Sequence, residues 1–160
     1  MASKAEKAAE IFSSYIGKAE PPGEWYLVDQ EKINKFADAT GDHQFIHIDP
    51  KRAAELSPYK VTIAHGLFTL SLLPFLQSSI KAPYGEAYAG MVMAVNYGFE
   101  KVRFMAPVKV NSKIRLQRQI AKVELKDANT VHVIHNCSIE IESEKKPACA
   151  AEWIGRLIYG

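Results

Sequence analysis

The sequence predicts an α+β fold in which one long apolar helix is wrapped by a curved, mostly antiparallel sheet. Before Pro83, apolar side chains recur at helical spacing between capping residues. After Pro83, apolar and polar residues alternate with the period of a half-buried strand. The segment 64–78, AHGLFTLSLLPFLQS, has almost no polar face and therefore predicts a buried central helix that Pro74 bends.

The length of 160 residues predicts one compact domain, 1–160, since a chain of this size can bury a single sizeable core. Residues 4–15 form an amphipathic pattern that Gly17 ends. We therefore expect residues 1–20 to be an N-terminal helical extension that packs on the body of the domain.

Between a brief strand at residues 25–28 and the central helix, two further helices are predicted. Asp29 is suited to cap the first, which Gly41 ends, and Asp49 followed by Pro50 is suited to begin the second. The intervening DHQFIHI is therefore expected to be a loop.

The second half of the chain predicts the sheet. Residues 131–141 alternate as a half-buried strand that follows a turn at residues 127–129. In the preceding strand the apolar residues change parity, which predicts a bulge near Ile120. Residues 91–104 and 148–159 supply two more extended segments.

Composition excludes several classes of function. A formal net charge of +2 gives no field that would indicate nucleic-acid binding. The chain has no apolar run long enough to cross a bilayer and no secretory signal pattern, so we expect no membrane association. The two cysteines, Cys137 and Cys149, lack metal-ligand spacing and indicate a reduced, cytoplasmic setting.

The stretch GDHQFIHIDP, residues 41–50, is unusually dense in titratable side chains. His43 and His47 would share one side only in a helix, so the predicted loop argues against a metal site, and we expect none. Taken singly, Asp42 could bond the turn backbone and His47 could be a satisfied core histidine. His43 is interpreted as a bystander.

The start of the predicted central helix is a second candidate site. Gly66 lies near its first turn, where backbone N–H groups lack partners within the helix and the helix dipole is positive. Such donors suit a developing oxyanion.

Together these residues carry a resemblance to a known family. The segments FADATGDHQFIHIDPKRA and TIAHGLFTLSLLP, and more loosely VNYGFEKVRFMAPVKVNSKI, resemble the MaoC-like (R)-specific enoyl-CoA hydratases, in particular their nodulation-protein-N-like branch. Two ordered motifs at matching separation are more specific than either alone.

The resemblance implies a hot-dog fold, a homodimer with sites near the subunit interface, and a substrate that is an acyl-CoA or acyl-carrier-protein thioester. It implies that Asp42 and His47 hold the attacking water and that the Gly66 N–H binds the thioester oxygen. Gln44 and Phe45 replace the Asn and Pro of the common motif, so Gln44 is assigned only a supporting role. His65 is a second supporting candidate, which would orient the turn or cover the acyl group. No cofactor is implied.

Two other functions remain open from the sequence. A hot-dog thioesterase would also use a carboxylate and a backbone oxyanion site, and it would release free thiol. A noncatalytic thioester-binding module could use the same scaffold, because a fold does not fix a function.

Overall fold

The computed structural model describes residues 2–160, and its centre is a curled five-stranded antiparallel sheet. The strand order is β1-β3-β4-β5-β2. The strands are β1 (Tyr26–Val28), β2 (Met91–Phe104), β3 (Ser112–Asp127), β4 (Thr130–Ile141) and β5 (Cys149–Tyr159). The α+β class and the antiparallel sheet are confirmed.

Within residues 2–160, six helices accompany the sheet. They are α1 (Lys4–Ser13), α2 (Gln30–Thr40), α3 (Phe45–Ile48), α4 (Pro50–Leu56), α5 (Gly66–Ser71) and α6 (Leu73–Leu76), with 3₁₀ turns at Gln77–Ser79 and Gly85–Tyr88. The predicted caps of α2 and α4 are confirmed. Asp29 accepts a hydrogen bond from the Lys32 N–H, and Asp49 accepts one from the Arg52 N–H.

One face of the sheet carries the whole core. The inward residues of β4 keep one parity, and those of β3 change parity at the bulge after Ile120, beyond which Val123 packs inward. Together they divide into two apolar clusters. One cluster lies under α2, α5 and α6, and the other lies under α1. Arg118 and His135 are on this face between the two clusters, both buried.

The prediction of a single buried central helix over residues 64–78 was wrong in two respects. Helical structure begins at Gly66, and it breaks at Leu72 into α5 and α6 before the 3₁₀ turn. Pro74 explains the break, because proline has no N–H to bond the carbonyl one turn earlier. Leu67 and Phe75 are 65% and 57% exposed, so one side of this segment faces outward.

The prediction that DHQFIHI is a loop was also wrong in part. Residues 45–48 form the short helix α3, closed by hydrogen bonds from the His47 N–H to the Gln44 carbonyl and from the Asp49 N–H to the Phe45 carbonyl. Pairing with the segment before α5 stabilises this turn, since the Ile63 N–H donates to the Ile46 carbonyl at 3.0 Å. That tertiary contact is not visible in local sequence pattern.

The predicted bulge in the strand before residues 131–141 is present. The register of β3 against β4 shifts between Ile120 and Lys122, which confirms the predicted bulge. β2 is an edge strand that pairs only with β5, and its register shifts three times. No helix within residues 2–160 is long and apolar enough to cross a membrane.

Candidate active site

Asp42 lies directly after the end of α2. Gly41 ends that helix in the left-handed conformation, with φ of 81°, which glycine adopts without strain. The Asp42 side chain is exposed, and one carboxylate oxygen accepts a long hydrogen bond, 3.3 Å, from the Gln44 N–H. The turn contact therefore exists, but it occupies only part of the accepting capacity of the carboxylate.

His47 is held on α3 with its imidazole buried. Its Nδ1 lies 2.7 Å from the Ile63 carbonyl oxygen. A carbonyl only accepts, so Nδ1 carries the proton and Nε2 presents a lone pair. Burial lowers the pKa of His47 below its usual 6.5, and this effect outweighs the opposing effect of the Ile63 hydrogen bond. His47 is therefore a neutral acceptor near pH 7.

Gln30 of α2 hydrogen-bonds to the backbone of His47. The sequence analysis did not predict this contact. Its Nε2 donates to the His47 carbonyl at 2.7 Å, while its Oε1 accepts from the Thr62 hydroxyl. One side chain thus joins α2, α3 and the segment before α5. A polar residue in the first turn of a helix gave no sign of this role.

His65 completes a compact cluster with Asp42 and His47. Its ring stacks on the His47 ring with centroids 3.8 Å apart and an interplanar angle of 24°. Its Nε2 donates to the Asp42 carbonyl oxygen at 2.9 Å. Its Nδ1 is buried and has no hydrogen-bond partner among residues 2–160.

These three side chains were tested as a metal site. A carboxylate oxygen of Asp42 and one ring nitrogen each from His47 and His65 lie within 4.8 Å of one another. Lone pairs of imidazole lie in the ring plane, so two nearly parallel stacked rings do not aim them at one point. A zinc ion would need both nitrogens at about 2.0 to 2.1 Å. The arrangement suits proton transfer better than metal binding.

Gly66 follows His65 and begins α5. Among the hydrogen bonds of residues 2–160, none is donated by the Gly66 N–H. The Phe104 ring packs so closely that a Cβ at residue 66 would lie 3.0 Å from it. Gly66 lines a cavity of about 230 Å³ whose wall includes Thr69, Phe104 and Ala148. Asp42 and His47 do not line this cavity, and His65 connects the two places.

The structure separates the remaining polar residues of the motif from this cluster. The Gln44 side chain is exposed and makes no capping hydrogen bond. The His43 Nε2 lies 2.8 Å from an Asp38 carboxylate oxygen, and this contact raises the pKa of His43. The structure thus brings together Asp42, His47 and His65, with Gly66 next in the chain, and leaves Gln44 and His43 outside.

A second polar cluster lies between the two apolar clusters of the core, and sequence reasoning missed it. The Arg118 Nε donates to a Glu20 carboxylate oxygen at 2.8 Å, with both side chains at 5% exposure or less. The Tyr84 hydroxyl donates to the other Glu20 oxygen at 2.5 Å, and His135 lies beside it. We call Glu20, Tyr84, Arg118 and His135 the core polar network.

Comparison with known proteins agrees with this fold. The family model described as MaoC like domain matches residues 12–141. The chain therefore belongs to the MaoC-like dehydratase family, and the predicted hot-dog fold and hydro-lyase class are confirmed.

Two relatives match nearly end to end. The chain is 44% identical over 153 residues to "3-hydroxyacyl-thioester dehydratase Z" of Mycobacterium tuberculosis, covering 96% of this chain and 97% of the relative. It is 42% identical over 142 residues to "Nodulation protein N" of Rhizobium meliloti, covering 89% and 86%. These matches confirm the predicted branch of the family.

A solved structure shows the same fold at lower identity. The R-hydratase PhaJ1 of Pseudomonas aeruginosa superposes with a TM-score of 0.64 and 18% identity, covering 98% of this chain and 84% of that protein.

Proposed function

We propose that this protein is an (R)-specific enoyl-thioester hydratase that reversibly adds water to trans-2-enoyl thioesters. The observation that carries the proposal is the pairing of an exposed Asp42 carboxylate with a His47 Nε2 that is fixed as an acceptor. The relative named 3-hydroxyacyl-thioester dehydratase carries the reverse of this reaction in its name.

Two acceptors a few ångströms apart suit one water molecule. The water would donate one hydrogen to the His47 Nε2 and the other to the Asp42 carboxylate. As the water oxygen attacks the β carbon, Asp42 takes the second proton and returns a proton to the α carbon. The product is a 3-hydroxyacyl thioester, and Asp42 ends the cycle ionised. The reaction needs no redox cofactor, since no electrons are exchanged with an acceptor.

The thioester oxygen gains negative charge while the α carbon awaits its proton. The unpaired Gly66 N–H supports an oxyanion contact at this point, beside the close-packed Phe104 ring. In other enzymes, removing one such donor raises the activation barrier by about 3 to 4 kcal/mol. His65 joins the two halves of the site, because it bonds the Asp42 carbonyl and precedes Gly66 in the chain.

The proposal includes a homodimer formed through the edge strand β2. This strand has one unpaired edge and exposes a row of apolar side chains, which include Val92 at 67% and Tyr97 at 54%. An antiparallel pairing of β2 with its symmetry copy would satisfy the edge and cover these side chains. Sedimentation equilibrium checks it, and a monomer at micromolar concentration would contradict it.

The substrate carrier and location complete the proposal. We assign an acyl-CoA or acyl-carrier-protein thioester as substrate and a cytoplasmic setting. Both cysteines, Cys137 and Cys149, are free and buried, and burial raises their thiol pKa values to about 12 and about 11. Such inert thiols fit a reduced compartment.

The test follows the loss of enoyl-thioester absorbance with a short trans-2-enoyl-CoA and determines the configuration of the product. Asp42→Asn and His47→Gln, each confirmed folded by circular dichroism, are expected to lower kcat/KM at least about a hundredfold. Turnover that both substitutions leave untouched would overturn the proposal. Release of free thiol without hydration would identify a thioesterase instead.

A further inference from the structure

A large cavity lies against the core polar network, and neither Asp42 nor His47 lines it. Its volume is about 580 Å³. The walls combine apolar side chains with a few polar ones. The apolar wall includes Phe12, Val95, Trp153 and Leu157, and the polar lining includes Gln77, Asn96, Arg118 and His135.

Two amide side chains of this lining are oriented by fixed donors. The Arg118 guanidinium donates to the Gln77 Oε1 at 2.8 Å. The Trp153 indole N–H donates to the Asn96 Oδ1 at 3.1 Å. Each amide oxygen thus accepts a fixed hydrogen bond, which leaves its NH₂ group free to donate. Both residues line the cavity, Gln77 half-buried and Asn96 exposed. Neither amide nitrogen has an acceptor among residues 2–160.

The charge around the cavity is balanced. Arg118 is the cation of the network and Glu20 is its anion, joined at 2.8 Å. His135 is uncharged near neutral pH, because burial and then the neighbouring Arg118 lower its pKa to about 3. Lys81 also lines the cavity, but its side chain is exposed and hydrated. A carboxylate bound beside Arg118 and His135 would lose its hydration without meeting a free positive charge there. A neutral oxygen acceptor fits better.

The segment from α5 to α6 borders both this cavity and the proposed thioester site. Thr69 of α5 lines the smaller cavity at Gly66, and Pro74 of α6 lines the larger one. Pro74 follows Thr69 by five positions, across the break at Leu72. An acyl chain that begins at Gly66 and follows this segment would reach the larger cavity with its distal part.

We infer that the larger cavity selects acyl chains that carry a neutral oxygen, a hydroxyl or keto group, in their distal half, and that Gln77 and Asn96 donate to that oxygen. This inference rests on the proposed function for its substrate class. The break at Pro74 and the pairing of Gln77 with Arg118 together place an amide donor where an apolar lining would otherwise favour a plain alkyl chain.

The experiment compares trans-2-decenoyl-CoA with isomers that carry one hydroxyl on the seventh, eighth or ninth carbon. The full-length protein is expected to prefer at least one hydroxylated isomer by about tenfold in kcat/KM, since two net hydrogen bonds are gained. Isothermal titration calorimetry with the saturated hydroxydecanoyl-CoA and decanoyl-CoA should show a similar ratio of Kd values, independent of turnover.

Two substitutions remove a donor while keeping its orienting contact. Gln77→Glu still offers an oxygen to Arg118, and Asn96→Asp still offers one to Trp153, yet neither retains the NH₂ group. Each is expected to reduce the preference for the corresponding keto-substituted chain to about twofold or less. The keto chain is used with these variants because its oxygen only accepts, whereas a hydroxyl can also donate to the introduced carboxylate. Gln119→Glu is the matched control, because Gln119 follows Arg118 on the opposite face of β3, and it should keep the preference.

The outcomes separate the two claims. Equal kcat/KM and equal Kd for plain and hydroxylated chains would overturn the inference while hydration of decenoyl-CoA upheld the proposed function. A tenfold Kd ratio without turnover would uphold the cavity's selectivity and count against the hydratase. A preference for the keto-substituted chain that survives both Gln77→Glu and Asn96→Asp would show that these amides do not supply it.

Discussion

The Asp42–His47–His65 cluster and the core polar network both bury histidine, yet their hydrogen bonds differ. In the network, the Glu20 carboxylate is paired with Arg118 and Tyr84, and the charges cancel within the protein. In the site cluster, the Asp42 carboxylate is exposed and His65 keeps a buried nitrogen without a partner among residues 2–160. Unused hydrogen-bonding capacity, more than burial, distinguishes the place where a substrate or water would bind.

The largest expected effect is a loss of stability when the core polar network loses its only cation, Arg118. Arg118→Met would leave the buried Glu20 carboxylate unpaired and lower the free energy of unfolding by about 3 to 5 kcal/mol. Urea denaturation measures it. The double variant Glu20→Gln/Arg118→Met should recover part of the loss, because no buried charge remains.

A matched control uses an exposed ion pair of similar length. Lys35 and Glu31 lie 2.6 Å apart on α2, and both side chains are more than 70% exposed. Lys35→Met should leave stability nearly unchanged. An Arg118→Met protein as stable as Lys35→Met would contradict the structural role assigned to the network.

A smaller effect is expected at His65, which we interpret as a positioning residue. His65→Ala removes the donor to the Asp42 carbonyl and should lower kcat about tenfold, with a smaller change in KM. His65→Gln offers an amide N–H near the position of the ring Nε2 and should restore most of kcat. Equal losses in the two variants would argue against a positioning hydrogen bond.

The smallest expected effect is the change of kcat/KM with pH near neutrality. His47 must be neutral to accept from water, and burial holds its pKa below 6.5. The value of kcat/KM should therefore be flat above pH 6.5 on this account and fall as pH drops through the lowered pKa. The stacked His65 also lowers the pKa of His47, so His65→Gln should move the acid limb to higher pH. An acid limb centred above pH 6.5 in the unmodified protein would contradict the assignment.

The same titration has a consequence for stability. His47 and His135 both have folded pKa values below the unfolded value of 6.5, so the unfolded chain binds more protons as pH falls below 6.5. Their contribution to stability is present above pH 6.5 and is lost progressively toward the lowered values. Stability should therefore fall with pH for both clusters, whereas only the titration of His47 should also change kcat/KM.

Local chemistry was readable from the sequence. The cap at Asp29, the end of α2 at Gly41 and the bulge after Ile120 depend on neighbouring residues, and all three are present. Pro74 predicted a bend, and the structure shows a full break of the helix near this residue. The motif also indicated Asp42 and His47, whose side chains lie within 4.8 Å of each other in the structure.

Contacts between distant segments could not be read in this way. Glu20 and Arg118 are 98 residues apart, and Gln30 meets Thr62 across 32 residues. Each has an ordinary polar side chain whose partner is decided only when the sheet curls and the helices dock. The helix α3 depends likewise on pairing between Ile46 and Ile63.

The most direct test of the central claim is a double-mutant cycle for hydration of trans-2-butenoyl-CoA with Asp42→Asn, His47→Gln and the double variant. If both side chains act on one water, removing either disables the unit, and the double variant should be about as slow as the slower single variant. Losses that multiply, so that the double variant is slower by the product of the two single factors, would show that Asp42 and His47 act independently and would contradict the account.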